Sequence, residues 1–324
     1  MQQTKELPTT ITDFEREVFE GLTDYPKHLS SKYFYDKKGD KLFQDIMAMP
    51  TYYLTDSEFQ ILENHKDEIT DIFNNKGAFD LIELGAGDGK KTKILLKTLS
   101  EKGSEFTYVP IDISENVLNQ LSDSITKELP KVNIEPFQGT YFQALKEINN
   151  RKNRKIILFL GSNIGNLEHQ QAADFMKKIH GLMHVDDLLF MGFDQKKHPQ
   201  TILNAYNDPE GITAAFNKNI LERINSELNG DFNLNQFLHW EVYNPETGSA
   251  KSYLVSQIAQ KVTIGKLHLT ISFQPWETIH TEISQKYDSE IINWLAKKAG
   301  LEMTVSYQPT DNSYKDCIFR KVEL

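Results

Sequence analysis

The order of apolar and polar positions becomes regular at Thr55. Thr55 and Glu58 have the spacing of a capping box, and Phe59, Leu62, Ile69, Ile72 and Phe73 then recur at helical intervals, which predicts a helix opening near residue 57. The stretch FDLIEL, Phe79 to Leu84, is a strand-like apolar run that stops at three glycines in five residues, Gly85, Gly87 and Gly89. A helical pattern follows it. Strands and helices then alternate. FTYVPI predicts a strand, SENVLNQLSDSITKEL a helix, and VNIEPF a short strand followed by a helical stretch from Tyr141. KIILFLG predicts a fourth strand, HQQAADFMKKIHGLM a helix ending near His184, and DLLFMGF a fifth strand. Apolar strands separated by helices predict a parallel sheet covered on both faces.

This order breaks after residue 195. AYNDPEGITAAFNKNILERINSEL is an amphipathic helical region, and SYLVSQIAQKVTI and LHLTISF are strand-like. The first 56 residues also stand outside the strand–helix series. Beyond Glu282 the core pattern resumes with helix SEIINWLAKKAG, strand LEMTVSY, polar turn QPTDNS and last strand DCIFRKV. The expected architecture is α/β. A doubly wound, Rossmann-like core spans 57–195 plus 287–324. A second, discontinuous α+β domain spans 1–56 plus 196–286 and lies where a lid over the strand ends is expected. A close of helix–strand–turn–strand, in place of a sixth parallel βα unit, favours the sheet of class I methyltransferases.

The glycine turn narrows the choice of ligand. Dinucleotide turns read G-x-G-x-x-G and hold pyrophosphate on the next helix. Here Glu83 precedes Gly85 and Gly87, Asp88 lies inside the turn, and Gly89 arrives one residue early. Acidic side chains repel a pyrophosphate and attract a cation. S-adenosylmethionine (SAM) carries a sulfonium and an ammonium and suits the turn better. Asp112 ends the next strand, where a carboxylate can accept both ribose hydroxyls. The alternatives from the residues alone are an NAD site and a turn with a purely structural role.

Composition removes other classes. The chain has 324 residues, 39% hydrophobic and 25% charged, as is ordinary for a globular protein, and a formal net charge of −10. YDKKGDK and NNRKNRK are its densest basic stretches, too short and interrupted to predict nucleic-acid binding. No apolar run approaches the ~20 residues of a membrane span, and the first residues do not read as a signal peptide. Cys317 is the single cysteine, which excludes an internal disulfide and a thiolate zinc cluster. His180 and His184 are four apart but have no evident third ligand, so no metal is expected. The expectation is a cytoplasmic monomer acting on a small molecule, with no nucleic-acid or membrane partner.

Further stretches carry a resemblance. SSKYFYDKKGDKLFQDIMAMPTYYLTDSEFQIL, FLGSNIGNL, AYNDPEGITAAFNKNIL and TEISQKY, in this order over nearly the whole chain, resemble the histidine-specific Nα-methyltransferases of ergothioneine biosynthesis. Those enzymes use SAM to methylate the α-amino group of histidine three times, giving the betaine hercynine. The resemblance implies SAM contacts at Gly85, Lys91, Asp112, Thr140, Tyr141 and Gly161, to which the turn itself adds Glu83 and Gly87. The family usually carries Asp-Phe where this chain has Thr140-Tyr141, so an uncharged hydroxyl would face the adenine amino group.

For the amino-acid substrate, the resemblance implies Tyr52, Asn166, Tyr206, Glu282 and Ser284, with Ile283 between the last two. It places Tyr35 near the reacting amine, where Tyr35 or a water takes the proton. Asn166 offers donors and an acceptor to a carboxylate or amine. Glu282 and Ser284, two apart on an expected strand, would share a face and bond the imidazole nitrogens. Taken singly, Asn166 also reads as the cap of the following helix, and Tyr52 as a core aromatic. Ser252 stands where the best-known histidine enzymes have methionine, which implies a wider or wetter pocket. Methylation of another amino acid or amine, or a binding protein without catalysis, are the competing expectations.

Overall fold

The computed structural model describes residues 11–322. In chain order the helices are α1 Asp13–Thr23, α2 Lys37–Met47, α3 Tyr53–Asn74, α4 Thr92–Glu101, α5 Glu115–Glu128, α6 Tyr141–Ile148, α7 His169–Leu182, α8 Pro199–Tyr206, α9 Ile212–Leu228 and α10 Ser289–Ala299. The strands are β1 Phe79–Leu84, β2 Phe106–Asp112, β3 Asn133–Ile134, β4 Phe137–Gln138, β5 Arg154–Phe159, β6 Leu188–Asp194, β7 Phe237–Asn244, β8 Ser249–Ser256, β9 Gln260–Ile264, β10 Leu269–Phe273, β11 Thr278–Gln285, β12 Leu301–Tyr307 and β13 Tyr314–Lys321. Among the described residues no helix is long and apolar enough to cross a membrane.

The chain divides into two compact units. One comprises Leu54–Lys196 and the chain from Gln285 onward. Its sheet runs β12-β13-β6-β5-β1-β2-β3, with β4 also on β2. β1 is parallel to β2 and β5, and β13 lies antiparallel between β6 and β12. Every residue of β1 and of β6 is buried, because helices cover both faces. Ile82, Leu84, Ile157 and Phe159 pack with Met176 of α7 and Leu295 of α10 in the core. The strand order reverses at β1, so the carboxyl ends of β1 and β5 form the switch point where such sheets take ligands. This is the doubly wound sheet with a helix–strand–turn–strand close that the sequence pattern predicts.

The other unit comprises the chain up to Tyr53 and Lys197–Ser284. It has a three-stranded sheet, β11-β8-β7, and a β9–β10 hairpin. Helix α9 buries Phe216, Ile220 and Ile224 against Phe237, Leu254 and Ile279. Strand β8 alternates strictly, with Ala250, Ser252, Leu254 and Ser256 buried. In β11 Ile279 and Thr281 are buried, and the alternation lapses at half-buried Glu282 and Ile283 before buried Ser284 and Gln285.

Several boundaries differ from the sequence pattern. Helix α3 begins at Tyr53, so Thr55 lies in its first turn and caps nothing, and Glu58 is fully buried with distant partners. The region AYNDPEGITAAFNKNILERINSEL holds the end of α8 and all of α9, separated at Gly211, whose φ of 77° ends the continuity. SYLVSQIAQKVTI is the end of β8 and all of β9, VNIEPF holds β3 and the start of β4, and α7 stops at Leu182.

Candidate active site

The residues expected at the cofactor gather at the end of β1. Glu83 is buried, and both its oxygens are engaged from within the fold, one by Thr92 Oγ1 at 2.5 Å and the other by the Tyr108 hydroxyl. Burial pushes its carboxyl up to about 7, against those two hydrogen bonds and the charge of Lys91. Glu83 therefore ties the turn to α4 and β2, and its carboxylate is held away from the role of a free surface anion. Gly85, Gly87 and Gly89 all have positive φ, at 75°, 54° and 64°, which only glycine adopts freely. A side chain on Gly85 would meet Tyr141 Oη at 2.8 Å, while Gly87 has open space around it.

Asp112 ends β2 and turns onto this loop. Burial raises its carboxyl above the ordinary value, while backbone N–H groups of Ser114, Gly87 and Ile113 work in the opposite direction. A carboxylate held by backbone amides at a strand end is pre-set to accept from a vicinal diol. Tyr141, at the start of α6, packs edge-on against Phe159 with ring centroids 5.7 Å apart. Its hydroxyl is pushed up to about 12 by burial and then by the charge of Asp112, so it is a neutral donor. Thr140 caps α6, and its hydroxyl bonds Gln143 at 2.8 Å. Gly161, with φ of 74°, donates its N–H to Glu58 Oε1 at 2.8 Å. Glu58 also pairs with Lys91, whose ammonium is raised overall although burial alone would lower it. A side chain on Gly161 would come within 3.6 Å of Lys91 Nζ and 3.7 Å of Asn163 Nδ2.

Gly85, Lys91, Asp112, Tyr141 and Gly161 thus converge at the switch point of one unit. Asn166 belongs to the same unit, at the end of a 3-10 turn Asn163–Asn166, and is exposed. Helix α7 takes Glu168 as its N-cap, so Asn166 does not have the capping role.

The residues expected at the amino-acid substrate in the other unit are held by different elements. Tyr52 and Tyr206 meet edge-to-face, with ring centroids 6.1 Å apart. The Tyr206 hydroxyl lies 2.7 Å from Ser284 Oγ, both buried. Around them Ile202, Ala205, Ala250, Tyr53 and Tyr243 make an apolar wall. Glu282 and Ile283 precede Ser284 on β11, where the burial pattern loosens. Tyr35 is 40% exposed and packs edge-on against Phe43 and Phe216. Ser252 is buried and donates to Glu241 Oε2 at 2.5 Å across the β7–β8 pair. Its hydroxyl is therefore engaged by a buried carboxylate.

Three side chains beside the expected site residues had no such place in the sequence reading: Glu58 read as part of a cap, and Asn163 and Glu241 were given no role. The partners of Glu58 lie 33, 103 and 256 residues away, and no local spacing signals them.

Comparison with known proteins adds the chemistry. Residues 14–321 match the model of a family described as histidine-specific methyltransferase, SAM-dependent. The chain is 36% identical over 286 residues to a histidine N-alpha-methyltransferase of Mycobacterium tuberculosis (strain CDC 1551 / Oshkosh), covering 88% of each chain. It is 35% identical over 289 residues to the histidine N-alpha-methyltransferase of Mycolicibacterium smegmatis, covering 89% of each. Ergothioneine biosynthesis protein 1 of Schizosaccharomyces pombe is 29% identical over 301 residues, which cover 90% of this chain and 39% of that one.

Proposed function

The chain belongs to the family of histidine-specific, SAM-dependent methyltransferases, and we propose that it methylates the α-amino group of free L-histidine three times, giving hercynine. The observation that carries the histidine reading is the Tyr206–Ser284 hydroxyl pair at 2.7 Å, two residues along β11 from Glu282. A carboxylate and a hydroxyl suit the two nitrogens of an imidazole, and a site built to hydrogen-bond a substrate rejects analogues that lack the bond. SAM is assigned to Glu83, Gly85, Gly87, Lys91, Asp112, Thr140, Tyr141 and Gly161. Histidine is assigned to Tyr52, Asn166, Tyr206, Ser252, Glu282, Ile283 and Ser284.

In each step the amine lone pair attacks the sulfonium methyl carbon in line. The carbon–sulfur bond breaks, and S-adenosylhomocysteine leaves as a neutral thioether. The amine must be unprotonated to attack, and its proton is assigned to Tyr35 or a water. SAM supplies the activated methyl group; the protein supplies position. Holding amine and methyl in line is worth as much as ~7–11 kcal/mol.

A second reading rests on Ser252. Its bond to Glu241 puts a second carboxylate where the resemblance implies methionine, and favours an acceptor with a cationic side chain. Glu282→Ala separates the assigned roles. Histidine affinity should fall about 10- to 100-fold, the loss of a hydrogen bond to a charged group, while SAM affinity by calorimetry stays unchanged. Equal loss of both would remove Glu282 from the histidine site.

A further inference from the structure

Beneath the cofactor loops lies a second acid. Asp316 of β13 is fully buried, and neither of its oxygens has a hydrogen-bond donor among the described residues. Its register partners are Gly192 of β6 and Tyr307 of β12. A methyl group added at Gly192 would overlap Glu58 Oε1 and the Tyr314 hydroxyl, and would meet Asp316 Oδ1 at 3.0 Å. The Glu58 and Asp316 carboxyls therefore crowd one spot that only a glycine leaves open.

Charge decides the state of this pair. Glu58 accepts from Lys91, from the Gly161 N–H at 2.8 Å and from the Tyr314 hydroxyl at 2.9 Å. One carboxylate and one ammonium balance. A second buried carboxylate would be uncompensated, since Lys155 and Lys286, the two fully buried lysines among the described residues of this unit, are paired with Asp187 at 2.8 Å and with Asp194 at 2.7 Å. An isolated buried charge is costly enough that such a group takes up a proton. Two carboxyls in one site share a proton in the same way. The other titratable groups facing Asp316 are neutral donors or already paired. Burial holds the Tyr314 and Tyr307 hydroxyls and the Cys317 thiol well above their ordinary values, and Lys315 on the strand's other side bonds Ser289. Burial and the Glu58 charge raise Asp316 in the same sense, against Lys91.

We propose that Asp316 is carried as the neutral acid, donates its proton to Glu58, and so fixes the single negative charge that holds Lys91 and the Gly161 amide in place for SAM. Asp316 is a positioning residue acting through Glu58. The role rests on the assignment of Lys91 and Gly161 to SAM, but the shared proton does not.

The test compares the full chain with Asp316→Asn and Asp316→Ala. Infrared difference spectra of the ligand-free protein should show the carbonyl stretch of a protonated acid that shifts in heavy water and is missing from Asp316→Asn. SAM affinity by calorimetry should stay within about threefold in Asp316→Asn, whose amide still donates, and weaken about tenfold or more in Asp316→Ala. If Asp316→Ala does not fold, Asp316→Asn and the band decide. Absence of the band, or Asp316→Asn binding SAM tenfold more weakly than the unaltered chain, overturns the shared proton. A band together with normal SAM binding by a folded Asp316→Ala overturns the positioning role. Failure of the unaltered chain to bind SAM overturns the cofactor reading on which that role rests.

Discussion

Replacing Glu83 with glutamine should change how stability varies with pH. Glu83 is buried at the end of β1 and accepts from Thr92 and Tyr108. In the folded protein burial lifts its carboxyl from 4.5 to about 7. Between those values the folded chain keeps a proton that the unfolded chain has released. The stabilisation is therefore fully present below 4.5, falls as pH rises, and is gone above about 7. The displacement corresponds to about 3 kcal/mol. Glutamine cannot titrate, and its amide meets two hydroxyl donors with one acceptor oxygen, a fixed penalty of about 1–3 kcal/mol. Urea unfolding of both proteins across this range isolates the titration, because the fixed penalty cancels from the slope. The advantage of the parent over Glu83→Gln should shrink by about 3 kcal/mol from the acid to the neutral end. Parallel curves would refute the argument that burial dominates the two hydrogen bonds.

Two further outcomes follow from close contacts. Gly192→Ala places a methyl against Glu58 and Tyr314, an overpacking cost of about 1–3 kcal/mol. That lowers the melting temperature by roughly 2–4 °C per kcal/mol, and an unchanged melt would deny the crowding. Tyr206→Phe and Ser284→Ala each remove one end of the 2.7 Å bond. In a double-mutant cycle on the KM for histidine the two should couple by about 0.5–3 kcal/mol, and additive effects would separate them.

The sheet was legible because its signals are local. FDLIEL, the early third glycine and Asp112 at the end of FTYVPI sit within 34 residues of one another, and burial on both faces leaves near-continuous apolar strands. Glu58 was misread for the opposite reason. A capping box is a short-range pattern, and this glutamate is used by Lys91, Gly161 and Tyr314 from other elements. The break between α8 and α9 is marked by Asp208, which accepts from the N–H groups of Ile212 and Thr213 at 2.8 Å, and by Gly211, a local signal that helical periodicity masked. Ser252 and Glu241 are cross-strand partners, visible only once the hairpin register is known. The acceptor residues came from resemblance; periodicity alone would have left Tyr52 in a core and Glu282 on a strand surface.

The most direct test is to incubate the pure protein with SAM and each amino acid separately and to read the products by mass spectrometry. Histidine should gain methyl groups, up to three, with S-adenosylhomocysteine formed in equal number. Methylation of a different amino acid alone, with histidine untouched, would contradict the account.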